Sequence, residues 1–249
     1  MDILASASIR TSMEGVPRDR PLAALERLAI PARYEIGESI YRCNDSIEHW
    51  YRVIEGAARE TALTVDGRRH IVDFILAGDL FGFGASGARH CCVEAIVPGT
   101  VIARYPRRSA ERLADSDPQI ARYIREAAFE SIARLQRRIV TLAQTSALEK
   151  VSAFLLEIAD RSHTAPTHAV FLPMSRYDIA DYLAMAVETV SRALTELRGR
   201  HAIAFRSVRQ VRICDRGALE EVADRLTKPG VHLPRDRRWI RSPCGAASA

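Results

Sequence analysis

Three side chains in the C-terminal half have the types and spacing to read the edge of a base pair. Glu188, Ser191 and Arg192 fall at i, i+3 and i+4, which puts them on one face of a helix. A guanidinium there can fork onto guanine O6 and N7. A carboxylate can accept from cytosine N4 or adenine N6, and a serine suits a base edge or a thymine methyl. An exposed Glu–Arg pair can equally be a helix-stabilising ion pair of about 0.2–0.5 kcal/mol, so the surroundings decide. From Met185 to Arg212 there are six arginines against two glutamates. Arg198, Arg200, Arg206, Arg209 and Arg212 can neutralise phosphates on either side of a groove, which supplies affinity and register rather than sequence choice. Ser175, Arg176, Thr189 and Thr195 join Arg198, Arg200, Arg206 and Arg209 as candidate contacts to the DNA backbone.

The elements that would position these groups can be read from apolar spacing. Ser175 followed by Asp178 is a capping-box-like helix start. Ile179, Ala180 and Leu183 give that short helix one apolar face. A turn falls near residues 184–186, and a second helix opens with Glu188 and Thr189 and buries Val190, Leu194 and Leu197. Two such helices bury little alone, so they must pack crosswise on a helix at 148–159, whose apolar side is Leu148, Val151, Phe154, Leu155 and Ile158. After them IAF, SVRQ and VRI read as a hairpin, the wing of a winged helix. Upstream, a long helix is predicted after Asp117-Pro118, running to about Thr145. Ile120, Ile124, Ala128, Ile132, Leu135, Ile139 and Leu142 follow near coiled-coil spacing, so this helix is predicted to pair with a second copy. From Tyr34 to Tyr105 short apolar segments are punctuated by glycines, and Asp66-Gly67 is a hairpin signal, which together predict a small antiparallel barrel or sandwich. Residues 22–30 read as a short amphipathic helix.

Composition sets the remaining bounds. The 249 residues are 47% hydrophobic and carry a net charge of +5, enough for a sizeable core and a mild preference for polyanions. Five cysteines without a framework spacing suggest a reducing, cytoplasmic compartment. Neither a signal peptide nor an apolar run of membrane-spanning length is apparent, so no membrane partner is expected. An enzyme with a cupin-like barrel would hold a metal through His49, His70 and His90. It would need an H-x-H spacing with a later histidine, which the chain lacks, so neither a metal nor an enzymatic role is expected. A pure dimerisation adaptor would leave Glu188 and Arg192 idle.

In the order of these parts the chain resembles the Crp/Fnr superfamily of bacterial transcription regulators, over about residues 20–223. LPMSRYDIADYLAMAVETVSRAL resembles the FixK-like branch, and GESIYR, VIEGAARE and AGDLFGFG resemble the glycine pattern of the family's β-roll. The resemblance implies an α+β fold with an N-terminal antiparallel β-roll (a cyclic-nucleotide-binding-like jelly roll), a long dimerisation helix and a C-terminal winged helix-turn-helix. The corresponding divisions are a flexible arm at 1–20, the β-roll at 21–115, the dimerisation helix at 116–146, the DNA-binding domain at 147–224 and a disordered basic tail at 225–249. It further implies a homodimer that reads an inverted repeat of double-stranded DNA with one recognition helix per half-site and contacts RNA polymerase. The E-x-x-S-R pattern of Glu188, Ser191 and Arg192 goes with half-sites of the TTGAT type in the Fnr-like branch. Val187 stands where the cyclic-AMP receptor branch has arginine. Ala184 occupies a turn position where the family often has glycine.

The resemblance also places signal binding in the β-roll. Cyclic-AMP receptors have a glutamate after the glycine of the phosphate cassette and then an Arg-Ser pair. Here Gly82 is followed by Phe83, and His90-Cys91 stands later, which argues against a cyclic nucleotide. The Fnr-type N-terminal cysteine cluster is absent, since no cysteine precedes Cys43. His90 and Cys92 could share one strand face as a metal or redox site, or Cys91 and Cys92 could simply be buried thiols. Ser175 stands where some FixK-like proteins carry a redox-active cysteine. No cofactor is therefore expected, and the alternative is a β-roll that binds an unidentified effector or haem through His49, His70 or His90.

Overall fold

A computed structural model describes residues 20–64, 67–84, 88–144, 146–162 and 169–223. Of the expected arm at 1–20, residues 1–19 lie outside the described residues, as do Asp66 of the hairpin signal and the expected tail at 225–249; Arg20 begins a helix.

A short helix α1 (Arg20–Glu26) precedes eight strands: β1 (Ile30–Tyr34), β2 (Ser39–Tyr41), β3 (His49–Glu55), β4 (Ala57–Leu63), β5 (Arg69–Leu76), β6 (Leu80–Phe81), β7 (Cys92–Ala95) and β8 (Thr100–Pro106). They form two four-stranded antiparallel sheets, β1-β8-β3-β6 and β2-β7-β4-β5. The predicted hairpin is there: β4 pairs β5 from Ala57↔Leu76 to Leu63↔Arg69, with a register shift between Glu60 and Thr61. The turn from β3 into β4 requires Gly56. Its φ is +87°, and a Cβ there would collide with the Thr100 side chain. Between the sheets lie Tyr41, Tyr51, Val53, Ile75, Phe81, Val93 and Ile102.

Helix α2 (Arg107–Ser116) follows β8 directly. The sequence reading does not include it, because RRSAERLADS offers two alanines, Ala110 and Ala114, and a single large apolar side chain, Leu113. Asp117 then caps α3 (Pro118–Ala143), accepting from the Gln119 N–H at 2.9 Å, with Pro118 at the first helical position. The C-terminal part comprises α4 (Ala147–Arg161), β9 (Ala169–Phe171), α5 (Arg176–Tyr182), α6 (Val187–Gly199), β10 (Ile203–Ser207), β11 (Gln210–Ile213) and α7 (Arg216–Ala223). Strand β9 joins the wing hairpin as a third strand, in the order β10-β11-β9.

The β-roll and the C-terminal helices share one core. Ala57, Ile71, Phe74, Leu76 and Ile96 from the roll pack with Val151, Phe154, Leu155 and Ile158 of α4 and with Ile179, Tyr182 and Leu183 around α5. The Phe74 ring lies 5.1 Å from Tyr182 and 6.2 Å from Phe154. Charged groups bracket this seam. Arg134 of α3, 4% exposed, pairs with Asp73 at 3.0 Å, and Arg161 of α4 pairs with Asp79 at 2.7 Å. The position of the helix-turn-helix is thereby fixed by the sheet it rests on.

Candidate nucleic-acid interface

Helix α5 starts as the sequence predicts. The Ser175 hydroxyl accepts from the Asp178 N–H at 3.1 Å, and Asp178 Oδ2 accepts from the Ser175 N–H at 2.9 Å. That hydroxyl also donates to Asp178 Oδ2 at 2.7 Å. The polar groups of Ser175 are thus spent inside the cap, which weakens its assignment as a backbone contact. The other oxygen, Asp178 Oδ1, pairs with Arg59 of β4, which also holds Glu94 of β7 at 2.8 Å. At the turn Ala184 takes φ +51°, a conformation that favours glycine.

Helix α6 buries Val190, Ala193, Leu194 and Leu197, and the opposite side is left to solvent. Glu188, Arg192, Thr195, Arg198 and Arg200 are exposed, and Ser191 and Thr189 are half-buried. Among the described residues, no hydrogen bond or ion pair engages the side chains of Glu188 or Arg192. The ion pair that could have explained their spacing is not formed, and both face outward. Thr195 returns its hydroxyl to the Ser191 carbonyl at 2.9 Å, and Arg200 pairs with Glu196. Beside α6 the wing turns through Arg206, Ser207, Val208 and Arg209, all exposed. A notch of about 390 Å³ between helix and wing is lined by Arg176, Ser191, Thr195, Arg198, Phe205 and Ser207. The Arg176 guanidinium lies 5.1 Å over the Phe205 ring, and burial lowers its pKa. Cations here stand on both flanks of an outward helix, the arrangement that straddles a groove.

The helix-turn-helix segment, residues 149–222, matches the Crp-like helix-turn-helix domain, and residues 31–117 match the cyclic nucleotide-binding domain. The nitrogen fixation regulation protein FixK of Rhizobium meliloti is 35% identical over 193 residues, covering 78% of this chain and 87% of that protein. The chain belongs to the FixK-like branch of the Crp/Fnr family. The FixK-like assignment is supported by FixK of Bradyrhizobium diazoefficiens, 37% identical over 81% of this chain and 86% of that one. The structure of FixK2 from Bradyrhizobium japonicum superposes with a TM-score of 0.72 at 35% identity, over 78% of this chain and 96% of that one. Like these relatives, the FixK-like chain is a transcription regulator with a helix-turn-helix DNA-binding domain.

On α3 the exposed apolar stripe is Phe129, Ile132, Leu135, Ile139 and Val140. Ile132, Leu135 and Ile139 were predicted, and Ala128 and Leu142 are half-buried beside them. Ile120 is a correction. It is 1% exposed, and with Ile124 it serves its own protomer, where Ile124 packs beside Leu25, Trp50 and Tyr105. Phe129 and Val140 lie outside the apolar series that starts at Ile120. Starting instead at Phe129, the 3,4 spacing runs through Ile132, Gln136 and Ile139.

In the β-roll, Phe83 follows Gly82, as the sequence has it, and packs its ring 5.7 Å from Trp50. Next to His90 stands Arg89, a buried guanidinium that the sequence reading does not single out. It donates to the Gly82 carbonyl at 3.2 Å and the His49 carbonyl at 2.7 Å, and lies 3.9 Å over the Tyr41 ring. Nearby the half-buried Glu60 adds an acid, with the Tyr41 hydroxyl donating to it at 3.4 Å. Among the described residues no three of His, Cys, Asp and Glu gather as a metal cage, and no helix is long and apolar enough to cross a membrane.

Proposed function

We propose that this FixK-like regulator acts in the cytoplasm as a homodimer and activates transcription from TTGAT-type inverted repeats, with one α6 helix in each half-site and a contact to RNA polymerase. The observation that carries the reading is the outward, unpaired presentation of Glu188 and Arg192 between the cations of the wing and of α6's C-terminal end. Dimerisation is supported by the Phe129–Val140 stripe, which none of the described residues covers. Activation is supported by AadR of Rhodopseudomonas palustris, a transcriptional activatory protein 36% identical over 69% of this chain. Selection of bound duplexes from a random pool by the purified protein tests the whole reading. Enrichment of a two-fold-symmetric TTGAT repeat is expected; enrichment of a single unrepeated half-site, or of no sequence, refutes it.

A further inference from the structure

Two of the cysteines meet at the open end of the β2–β7 ladder. These strands pair antiparallel, with Tyr41 opposite Val93. Cys43 follows β2 and Cys92 opens β7, so both lie just beyond that last pair. Cys43 Sγ sits 2.7 Å from Cys92 Sγ, and the Cys43 N–H donates to Cys92 Sγ at 3.1 Å. Both residues are half-buried, within reach of a small oxidant. Among the described residues the neighbouring Cys91, which precedes β7, makes no hydrogen bond to either sulfur. The segments on either side are already clamped: the Asn44 N–H donates to the Arg89 carbonyl at 2.9 Å, and the Arg89 N–H to Asp45 at 3.0 Å. Little backbone movement therefore separates this contact from a covalent bond of about 2.03–2.05 Å.

We propose that Cys43 and Cys92 form a reversible intramolecular disulfide when the protein meets a hydroperoxide, making the rim of the β-roll a redox modification site. Burial and the neighbouring Cys92 push the Cys43 thiol up to about 11, so Cys92, which accepts the backbone N–H, is the sulfur placed to attack. Its thiolate attacks one peroxide oxygen and the O–O bond breaks. Cys92 becomes a sulfenic acid, and the released oxygen leaves as water or alcohol. Cys43 sulfur then attacks the sulfenic sulfur, the S–S bond forms, the S–O bond breaks, and a second water leaves with the Cys43 proton. Two thiols give up two electrons and two protons, and the peroxide takes them up. Strand β7 also carries Glu94, which holds the same Arg59 that grips Asp178, so the bond forms on the strand that reaches the helix-turn-helix.

The test is peptide mapping of the full chain after hydrogen peroxide and then alkylation. Trypsin places Cys43 in Cys43–Arg52 and both Cys91 and Cys92 in His90–Arg104. The expected product is these two peptides joined, two hydrogens lighter, and separated again by dithiothreitol. The variant Cys91→Ser retains the product, and Cys43→Ser and Cys92→Ser each lose it. Cys43→Ser, on a loop, tests the bond without disturbing a strand. A linkage that survives Cys92→Ser, bridges only between chains through Cys214 or Cys244, or a Cys43 that stays fully alkylatable under excess peroxide would each overturn the proposal.

Discussion

Glu60 on β4 stands directly opposite Asp73 on β5, two like charges in register. Asp73 is paired with Arg134 at 3.0 Å, whereas among the described residues Glu60 has a single hydrogen bond, from the Tyr41 hydroxyl at 3.4 Å. Burial, and then the Asp73 charge, push its carboxyl from 4.5 to about 7. In the unfolded chain the same carboxyl releases its proton near its ordinary value. Between these two values the folded state holds a proton that the unfolded state has lost. Stability from this group is therefore fully present below the unfolded pKa, and is lost as pH rises through the folded one. At about 1.36 kcal/mol per unit the shift is worth at most ~3 kcal/mol; the residual solvent contact of Glu60 reduces this to roughly 1–3 kcal/mol. Glu60→Gln keeps the shape and removes the titration. Urea unfolding of both proteins between about pH 5 and about pH 8 gives a stability difference from which all shared titrations cancel. That difference should move in favour of the variant by roughly 1–3 kcal/mol as pH rises. A difference that stays constant, or that moves toward the wild type, would refute the placement of an uncompensated carboxyl here.

Ala184→Gly relieves a left-handed backbone at an exposed position. It should stabilise by about 1 kcal/mol and raise the melting temperature by roughly 2–4 °C; a lower melting temperature would count against the strain. Ile132→Glu and Ile139→Glu place charges on the bare stripe of α3 and should convert a dimer to a monomer in sedimentation velocity, while a dimer that persists would move the interface elsewhere. Arg192→Ala should cost roughly 1–3 kcal/mol of specific binding and relax base choice at one position per half-site. Arg206→Ala should weaken all sequences alike and flatten the salt dependence. Equal, sequence-blind losses from both would remove base reading from Arg192.

Local chemistry made the helix-turn-helix legible. A capping box, a short apolar face and a hairpin are each written within about ten residues, and α4, α5, α6 and the wing all lie where those signals put them. The glycine punctuation of residues 34–105 gave the all-antiparallel roll for the same reason. What was not legible depends on partners distant in sequence. Strand β9 is only Ala169–Phe171, and it is a strand because β11 offers it an edge. Helix α2 is held by Ala110 against Trp50 and Tyr105, contacts that its own composition does not announce. On α3 the apolar series Ile120–Leu142 spans more than one environment, because this long helix serves two surfaces. Its first turns bury Ile120 and pack Ile124 on their own β-roll, and later turns leave Phe129–Val140 bare, so one apolar period spans two unlike environments.

Asp178 shows how far local reading reaches. In the sequence it is the third residue of a capping box, and its Oδ2 does that work. Its Oδ1 belongs to Arg59, 119 residues earlier in the chain and on the other side of the shared core. One carboxylate therefore both starts the first helix of the DNA-binding motif and ties that start to β4. Through Glu94 the same guanidinium binds β7, so two strands of one sheet grip a single helix start. Rotating the motif away from the roll must break Arg59–Asp178 and leave a guanidinium with Glu94 alone, and must also expose Phe74 and Tyr182. The orientation of α6 is thus set by the sheet as much as by the turn that carries it, which is the physical route by which a change in the β-roll would be felt at a base edge.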